Sequence, residues 1–316
     1  MRVLVTGADG FVGRYLLRHL LRGGHELVGA VRPGSDAARG WLDAGEYGAV
    51  EWVGLELDEP GIFGQLFTTP LDAVVHLAAV ASGSEAREDP GRAWVVNAAG
   101  TARLLEAAAT AREAGVGDPL MLVVSTGEVY GPGEGRRPED APMTPVSPYA
   151  ASKAGAEVSA GEVGRRTGLR IIVARPFQHT GPGQHDRYVV PAFARRLRQA
   201  RADGATEVPV GNLAPVRDIS DVRDVVAAYA ALLERGVPGQ TYNVCRGDGV
   251  SLDALFRKLS ALVGVRAEPV PDPALARPAD IAHLVGDNSR LRAATGWSPS
   301  ISLDQTLKDV VDAQAD

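Results

Sequence analysis

A short apolar run, Arg2 to Thr6, leads directly into Gly7-Ala8-Asp9-Gly10-Phe11-Val12-Gly13. A helical pattern follows, with apolar residues at Val12, Tyr15, Leu16, Leu20 and Leu21. Glycines between a buried strand and a helix permit a tight turn, and they let backbone N–H groups approach a pyrophosphate at the positive end of the helix. The spacing alone says little. With 37 glycines in 316 residues, chance supplies roughly half a match to G-x-x-G-x-x-G somewhere in the chain. Position carries the weight, because a random match seldom falls between a first strand and a first helix. The plainer alternative is a strand-to-helix turn without a ligand. The pattern predicts a dinucleotide held at Gly7, Gly10, Phe11, Val12 and Gly13.

The rest of the first half repeats the strand and helix alternation. Strands are expected at Glu26 to Val31, Val50 to Leu57, Asp72 to Leu77, Leu120 to Ser125 and Arg170 to Ala174. A long helix is expected from Gly91 through Ala114. A second runs from Tyr149 to Thr167, with Ser147 as N-cap and Pro148 at the first helical position. This predicts an α/β fold, a Rossmann-type doubly wound parallel sheet. After Pro176 glycine and proline cluster and the alternation breaks, which marks a smaller, interleaved C-terminal substrate-binding subdomain. The expected division is 1–175 for the dinucleotide-binding part with 217–245 returning to it, and 176–216 with 246–316 for the substrate part.

Composition narrows the partners. Thirty-nine acidic against 33 basic side chains give a net charge of -6, which offers no general attraction to nucleic acid or anionic lipid. Cys245 is the single cysteine, so no intrachain disulfide or cysteine-based zinc cluster can form. The six histidines lack close ligand spacing, and no metal is expected. No apolar stretch approaches the ~20 residues of a membrane helix, and no signal-peptide layout opens the sequence. A cytoplasmic protein is expected, with no membrane and no nucleic-acid partner.

Tyr149-Ala150-Ala151-Ser152-Lys153 is the most informative pentapeptide. Residues four apart share a helix face, and a nearby ammonium is expected to lower the tyrosine pKa toward the range useful for proton transfer. With three lysines and seven tyrosines in the chain, chance predicts about 0.07 such pairs. The bland reading is a surface tyrosine beside a solvated lysine. A third group should sit at the carboxyl end of a strand to hold the oxygen being protonated, and Ser125-Thr126 end the fifth strand. Strand-end capping is the competing explanation for such hydroxyls. At the end of the second strand, Val31-Arg32-Pro33-Gly34-Ser35 carries no carboxylate until Asp36. An arginine there suits a 2′-phosphate, so NADP (NADPH) is favoured and NAD is the alternative. Arg32 could equally be a solvated loop charge.

Together these residues resemble the extended short-chain dehydrogenase/reductase family. Thr126, Tyr149 and Lys153 match its Ser/Thr-Tyr-Lys catalytic triad, His76-Leu77-Ala78-Ala79 its fourth-strand motif and Asn97 its helix asparagine. Several segments are similar to those of members that reduce GDP-4-keto-6-deoxymannose: Phe177 to Gln184, Val210 to Leu213, Val216 to Asp218, Tyr242 to Cys245 and Arg277 to Asp280. The resemblance implies further cofactor contacts at Glu56, Leu57, Leu77, Ala78, Ala79, Asn97, Tyr149, Lys153 and Pro176. It implies substrate contacts at Thr126, Glu128, Gln178, Arg217 and Arg277, the two arginines clamping a diphosphate. From the residues alone, Arg217 could instead pair with Asp218 or Asp221. Three positions depart from the family pattern. Gln178 stands where asparagine is usual, Glu56-Leu57 replaces an Asp-hydrophobic pair near the adenine, and Gly127 replaces a serine.

The implied reaction is NADPH-dependent reduction of the C4 ketone of a nucleotide-linked 4-keto-6-deoxyhexose, GDP-linked in the favoured case. Tyr149 would give the proton, Thr126 would hold the oxygen, and Lys153 would tune the tyrosine and bind the nicotinamide ribose. Glu128 keeps open a 4,6-dehydratase or epimerase that retains its nicotinamide. A regulator that senses NADP without chemistry is a further alternative, though such proteins often lose the tyrosine or lysine. No serine lies in a G-x-S-x-G elbow and no lysine completes a G-x-x-x-x-G-K loop. The family relationship also implies a homodimer through the helices around Gly91 to Ala114 and Tyr149 to Thr167.

Overall fold

The structure is a computed structural model that describes residues 1–36, 38–275 and 281–314; Arg277 lies outside them. Along the chain the elements begin with β1 (Arg2–Thr6), α1 (Phe11–Arg22), β2 (Glu26–Val31), α2 (Ala44–Gly48), β3 (Val50–Gly54) and β4 (Ala73–His76). Next come α3 (Gly83–Glu88), α4 (Pro90–Trp94), α5 (Gly100–Glu113), β5 (Leu120–Val124), β6 (Arg136–Arg137), α6 (Pro148–Thr167) and β7 (Ile171–Pro176). After these follow β8 (Gln178–Thr180), α7 (Val189–Asp203), β9 (Glu207–Val210), β10 (Val216–Asp221), α8 (Val222–Arg235) and β11 (Thr241–Val244). The last are β12 (Gly249–Ser251), α9 (Leu252–Val263), β13 (Glu268–Pro271), β14 (His283–Gly286), α10 (Ser289–Thr295) and α11 (Leu303–Ala313).

The main sheet has the order β3-β2-β1-β4-β5-β7-β11, and every pairing in it is parallel. Central parallel strands are covered on both faces, which is why Val3 to Val5 of β1, Ala73 to Val75 of β4 and all of β5 are apolar. On one face α1 and α8 pack Leu16, Leu17, Leu20, Tyr229 and Leu232 into the core. On the other, α5 and α6 contribute Leu104, Leu105, Ala160 and Val163. Strand order reverses between β1 and β4, so a crevice opens there at the carboxyl ends of the strands.

Local chemistry explains most boundaries. Ser147 caps α6 by accepting a hydrogen bond from the Ala150 N–H at 3.1 Å, with Pro148 in the first turn. β3 stops at Gly54 rather than Leu57 because it is the edge strand and its ladder ends where Val31 of β2 ends. The helix expected over 91–114 runs from Pro90 to Glu113 but contains a π-turn at Val95–Ala99. Such insertions concentrate at functional sites.

A second sheet, β12-β10-β14-β6 with β8 also on β10, and a small β9–β13 pair form the upper layer. Its core comes from α7, α9 and α11, including Phe193, Phe256 and Leu307. The sequence pattern returns 217–245 to the main sheet as one piece, and the structure corrects this. α8 covers the main sheet and β11 forms its edge, but β10 belongs to the second sheet, its flanks taken by β12, β14 and β8. Leu291 and Trp297, from the tail assigned to the substrate part, also pack in the main core.

Three aspartates spaced by three fasten the end of the chain to β10 and α8. Asp218 accepts hydrogen bonds from the N–H groups of Arg246, Gly247 and Gly286. Asp221 accepts from Thr306 Oγ1 at 2.8 Å and from the Arg223 guanidinium. Asp224 accepts from Ser300 N and Oγ and from Ile301 N.

Candidate active site

A cleft of about 1260 Å³ lies over the crevice, between the main sheet and the upper layer. The glycine turn forms its floor. Gly7 has φ of +66°, and its N–H bonds the Ala30 carbonyl at 2.9 Å. A Cβ on Gly7 would stand 2.8 Å from Ala78 N, and one on Gly13 would stand 2.3 Å from the Gly7 carbonyl oxygen. Glycine is therefore required for β1, α1 and the β4 end to approach one another. Gly10, the N-cap of α1, has no side chain to satisfy the first-turn N–H groups. These donors and the helix dipole suit a pyrophosphate.

The turn residues Gly7, Gly10, Phe11, Val12 and Gly13 line the cleft. Arg32, Glu56 and Leu57 line it from the ends of β2 and β3, and Leu77, Ala78 and Ala79 from the end of β4. Thr126, Glu128, Tyr149, Pro176, Gln178 and Arg217 line the same cleft. Gln178 Oε1 is buried without a hydrogen-bond partner among the described residues. Arg217 donates to the Val216 carbonyl at 2.9 Å. Of its two suggested partners, Asp221 is held by Arg223 and Thr306, and Asp218 by three backbone N–H groups.

Tyr149 and Thr126 share a side-chain hydrogen bond, and Thr126 Oγ1 also accepts from Glu128 N at 3.2 Å. Lys153 sits one turn along α6, buried to 3% exposure. The expectation that Lys153 acidifies the phenol is not met. Burial pushes the Tyr149 pKa well up, the Glu128 carboxylate adds to this, and the Thr126 hydrogen bond opposes it. Burial pushes Lys153 down to about 8, against the pull of Glu157. The phenol is thus firmly protonated at neutral pH, the form that can give a proton to a carbonyl oxygen.

Like Lys153, Asn97 is expected as a cofactor contact and is not among the residues that line the cleft. The π-turn buries it, where its Oδ1 accepts from Val80 N at 2.8 Å and its Nδ2 donates to Val80 O and Ser152 Oγ. Ser152 Oγ in turn donates to the Tyr149 carbonyl. Asn97 therefore positions the loop after β4 against the first turn of α6. Beside it runs a buried relay. Ala78 N donates to Thr6 Oγ1 at 3.1 Å, Thr6 meets His76 Nδ1 at 2.8 Å, His76 Nε2 meets Thr101 Oγ1 at 3.0 Å, and Thr101 donates to Asn97 O at 2.6 Å. Because Thr101 spends its proton on Asn97, the ring must carry its proton on Nε2 and accept from Thr6 at Nδ1.

Sequence reasoning missed a second buried network under the site. Arg175 forks onto Glu157, and its Nη1 donates to Tyr130 Oη at 2.8 Å. Ser125 donates to the same Glu157, and Tyr130 donates to Asn243. The available signals were Glu157, four residues after Lys153 on the same helix face, and a lone charge, Arg175, in an apolar strand. Among the described residues, no group of three or more His, Cys, Asp or Glu could hold a metal ion, and no helix is long and apolar enough to cross a membrane.

A doubly wound parallel sheet with a glycine turn at its crevice, and a Thr-Tyr-Lys set beside it, defines an extended short-chain dehydrogenase/reductase of the nucleotide-sugar-modifying kind. Residues 4–310 match the GDP-mannose 4,6 dehydratase family, and the chain belongs to it. It is 35% identical over 320 residues to GDP-6-deoxy-D-mannose reductase of Pseudomonas aeruginosa, covering 98% of this chain and 96% of that one. Among solved structures, RMD from Pseudomonas aeruginosa complexed with NADPH superposes with a TM-score of 0.80 at 34% identity, covering 99% of this chain and 98% of that one. Thermus thermophilus UDP-glucose 4-epimerase in complex with NAD gives 0.84 at 30% identity, with the same coverage of 99% and 98%.

Proposed function

We propose that this enzyme reduces the C4 ketone of a nucleotide-linked 4-keto-6-deoxyhexose of the GDP-4-keto-6-deoxymannose type, with NADPH preferred and NADH accepted. The observation that carries this reading is Tyr149, hydrogen-bonded to Thr126, inside the cleft floored by the glycine turn. The resemblance to a GDP-6-deoxy-D-mannose reductase and to an NADPH-bound neighbour supports the choice of substrate and cofactor.

The first turn of α1 would hold the pyrophosphate, Arg32 a 2′-phosphate and Glu56-Leu57 the adenine side. When bound, the reduced nicotinamide supplies the hydride that the ketone carbon takes up. Tyr149 gives its proton to the ketone oxygen, and Thr126 holds that oxygen in line. Lys153, one turn along α6 from the phenol, would bind the nicotinamide ribose. Gln178, donating through its side-chain Nε2, and Arg217 would meet the sugar diphosphate, while the unpartnered Gln178 Oε1 suits a donor such as a sugar hydroxyl; Arg277 is assigned the diphosphate role from sequence. Following NADPH absorbance with GDP-4-keto-6-deoxymannose tests the reading, and the expected result is one NADPH consumed per sugar.

Glu128 favours a second reading. Its carboxylate faces the cleft and acts electrostatically on Tyr149, the position from which a 4,6-dehydratase would draw a proton during elimination. Conversion of GDP-mannose without added reductant would establish that reading and reject the first. The proposed assembly is a homodimer through the helices around Gly91 to Ala114 and Tyr149 to Thr167, where Trp94, Val95 and Val158 are 47%, 40% and 63% exposed. Val158→Glu should then halve the mass seen by light scattering.

A further inference from the structure

We propose that Asp9, inside the glycine turn, sets the choice between NADPH and NADH by standing in for the ribose carboxylate that the end of β2 lacks. This rests on the dinucleotide reading above.

In a doubly wound fold the residues just after β2 meet the adenosine ribose, a carboxylate binding its free hydroxyls and an arginine its 2′-phosphate. Here the first carboxylate after β2, Asp36, faces Arg39 at 3.4 Å, is largely exposed and stands outside the cleft. Glu56 lines the cleft from the β3 end and makes no hydrogen bond to the β2 loop among the described residues. Asp9 does both: it lines the cleft, and its Oδ2 accepts a hydrogen bond from Ser35 Oγ in that loop. Arg32, three residues before Ser35, lines the same rim, and its guanidinium forms no ion pair among the described residues. Arg14, stacked on Trp41 at 4.7 Å, feels the Asp9 charge.

One rim therefore carries both a carboxylate, tied to the β2 loop by a serine hydroxyl, and a guanidinium. For NADH, Asp9 is an acceptor for a ribose hydroxyl. For NADPH, Arg32 attracts the 2′-phosphate while Asp9 repels it, and Ser35 blunts that repulsion by donating to Asp9. The carboxylate thus holds the two affinities together.

The test measures Kd for NADPH and NADH by fluorescence titration of the full chain without sugar substrate. Asp9→Asn should bind NADPH about tenfold more tightly, because a repulsion is relieved, and NADH about tenfold more weakly, because a charge-assisted hydrogen bond becomes a neutral one. Ser35→Ala, which leaves Asp9 uncovered, should weaken NADPH and leave NADH unchanged. A merely structural clasp between the two residues would weaken both dinucleotides in both variants and overturn the proposal, as would an unchanged ratio in Asp9→Asn. If the unaltered chain binds neither dinucleotide, the functional reading fails and takes this inference with it.

Discussion

Replacing His76 by glutamine isolates the buried relay at the floor of the site. Glutamine can accept from Thr6 through Oε1 and donate to Thr101 through Nε2, the pattern the neutral imidazole uses, but it does not titrate. In the unfolded chain His76 titrates near the ordinary 6.5, whereas in the folded protein burial, reinforced by the Lys153 charge, pushes it down to about 3. A base depressed in this way contributes fully above 6.5, and its contribution falls with pH until about 3. From about pH 7.5 to about pH 5.5, proton uptake by the unfolded chain alone is equivalent to one pKa unit, about 1.4 kcal/mol. His19, which is also lowered by burial, is present in both proteins and cancels in the difference. Urea unfolding at the two pH values should show the unaltered protein losing about 1.4 kcal/mol more than His76→Gln. Equal losses, or an imidazole that titrates near 6.5 by NMR in the folded protein, would refute the relay.

Tyr149→Phe should lower turnover by about 10²-fold or more while leaving NADPH affinity within about twofold, checked by absorbance and fluorescence titration. Arg175→Met strips the partner from Glu157 in a pair whose side chains are each 6% exposed. It should cost about 3–5 kcal/mol of unfolding free energy in urea, and a loss below about 1 kcal/mol would mean the pair is dispensable. Gly13→Ala brings a methyl to 2.3 Å from the Gly7 carbonyl and should abolish dinucleotide binding in a fluorescence titration.

What the sequence made legible was local. The glycine turn, Ser147-Pro148 and the Tyr149–Lys153 spacing each depend on residues within one or two turns, and the structure places all of them where their patterns predict. What stayed hidden depends on distant segments. Asn97 is a polar residue on a helix until the π-turn aims it at Val80 and Ser152. The end of Val50 to Leu57 as a strand was decided by the length of its neighbour, not by its own apolar content. β10 reads like any short buried strand, and its place in the other sheet rests on pairing with the distant strands β8, β12 and β14 while β11 takes the edge beside β7. The Tyr149 pKa went the opposite way because burial and Glu128, contributed by the loop after β5, raise it, and the one opposing influence is the Thr126 hydrogen bond rather than the lysine on its own helix.

The aspartate fastenings bear on the order in which the molecule can be completed during synthesis. When α8 has left the ribosome, Asp221 lacks Thr306 and Asp224 lacks all three of its donors, which lie at residues 300 and 301. Asp221 keeps Arg223, but Asp224 has no donor left, and a carboxylate without donors resists entry into an apolar interior. α8 therefore seats fully on the main sheet only once Ser300 and Ile301 emerge, and a chain truncated before Ser300 also lacks α11, whose Leu307, Val310 and Val311 complete the upper layer over the cleft.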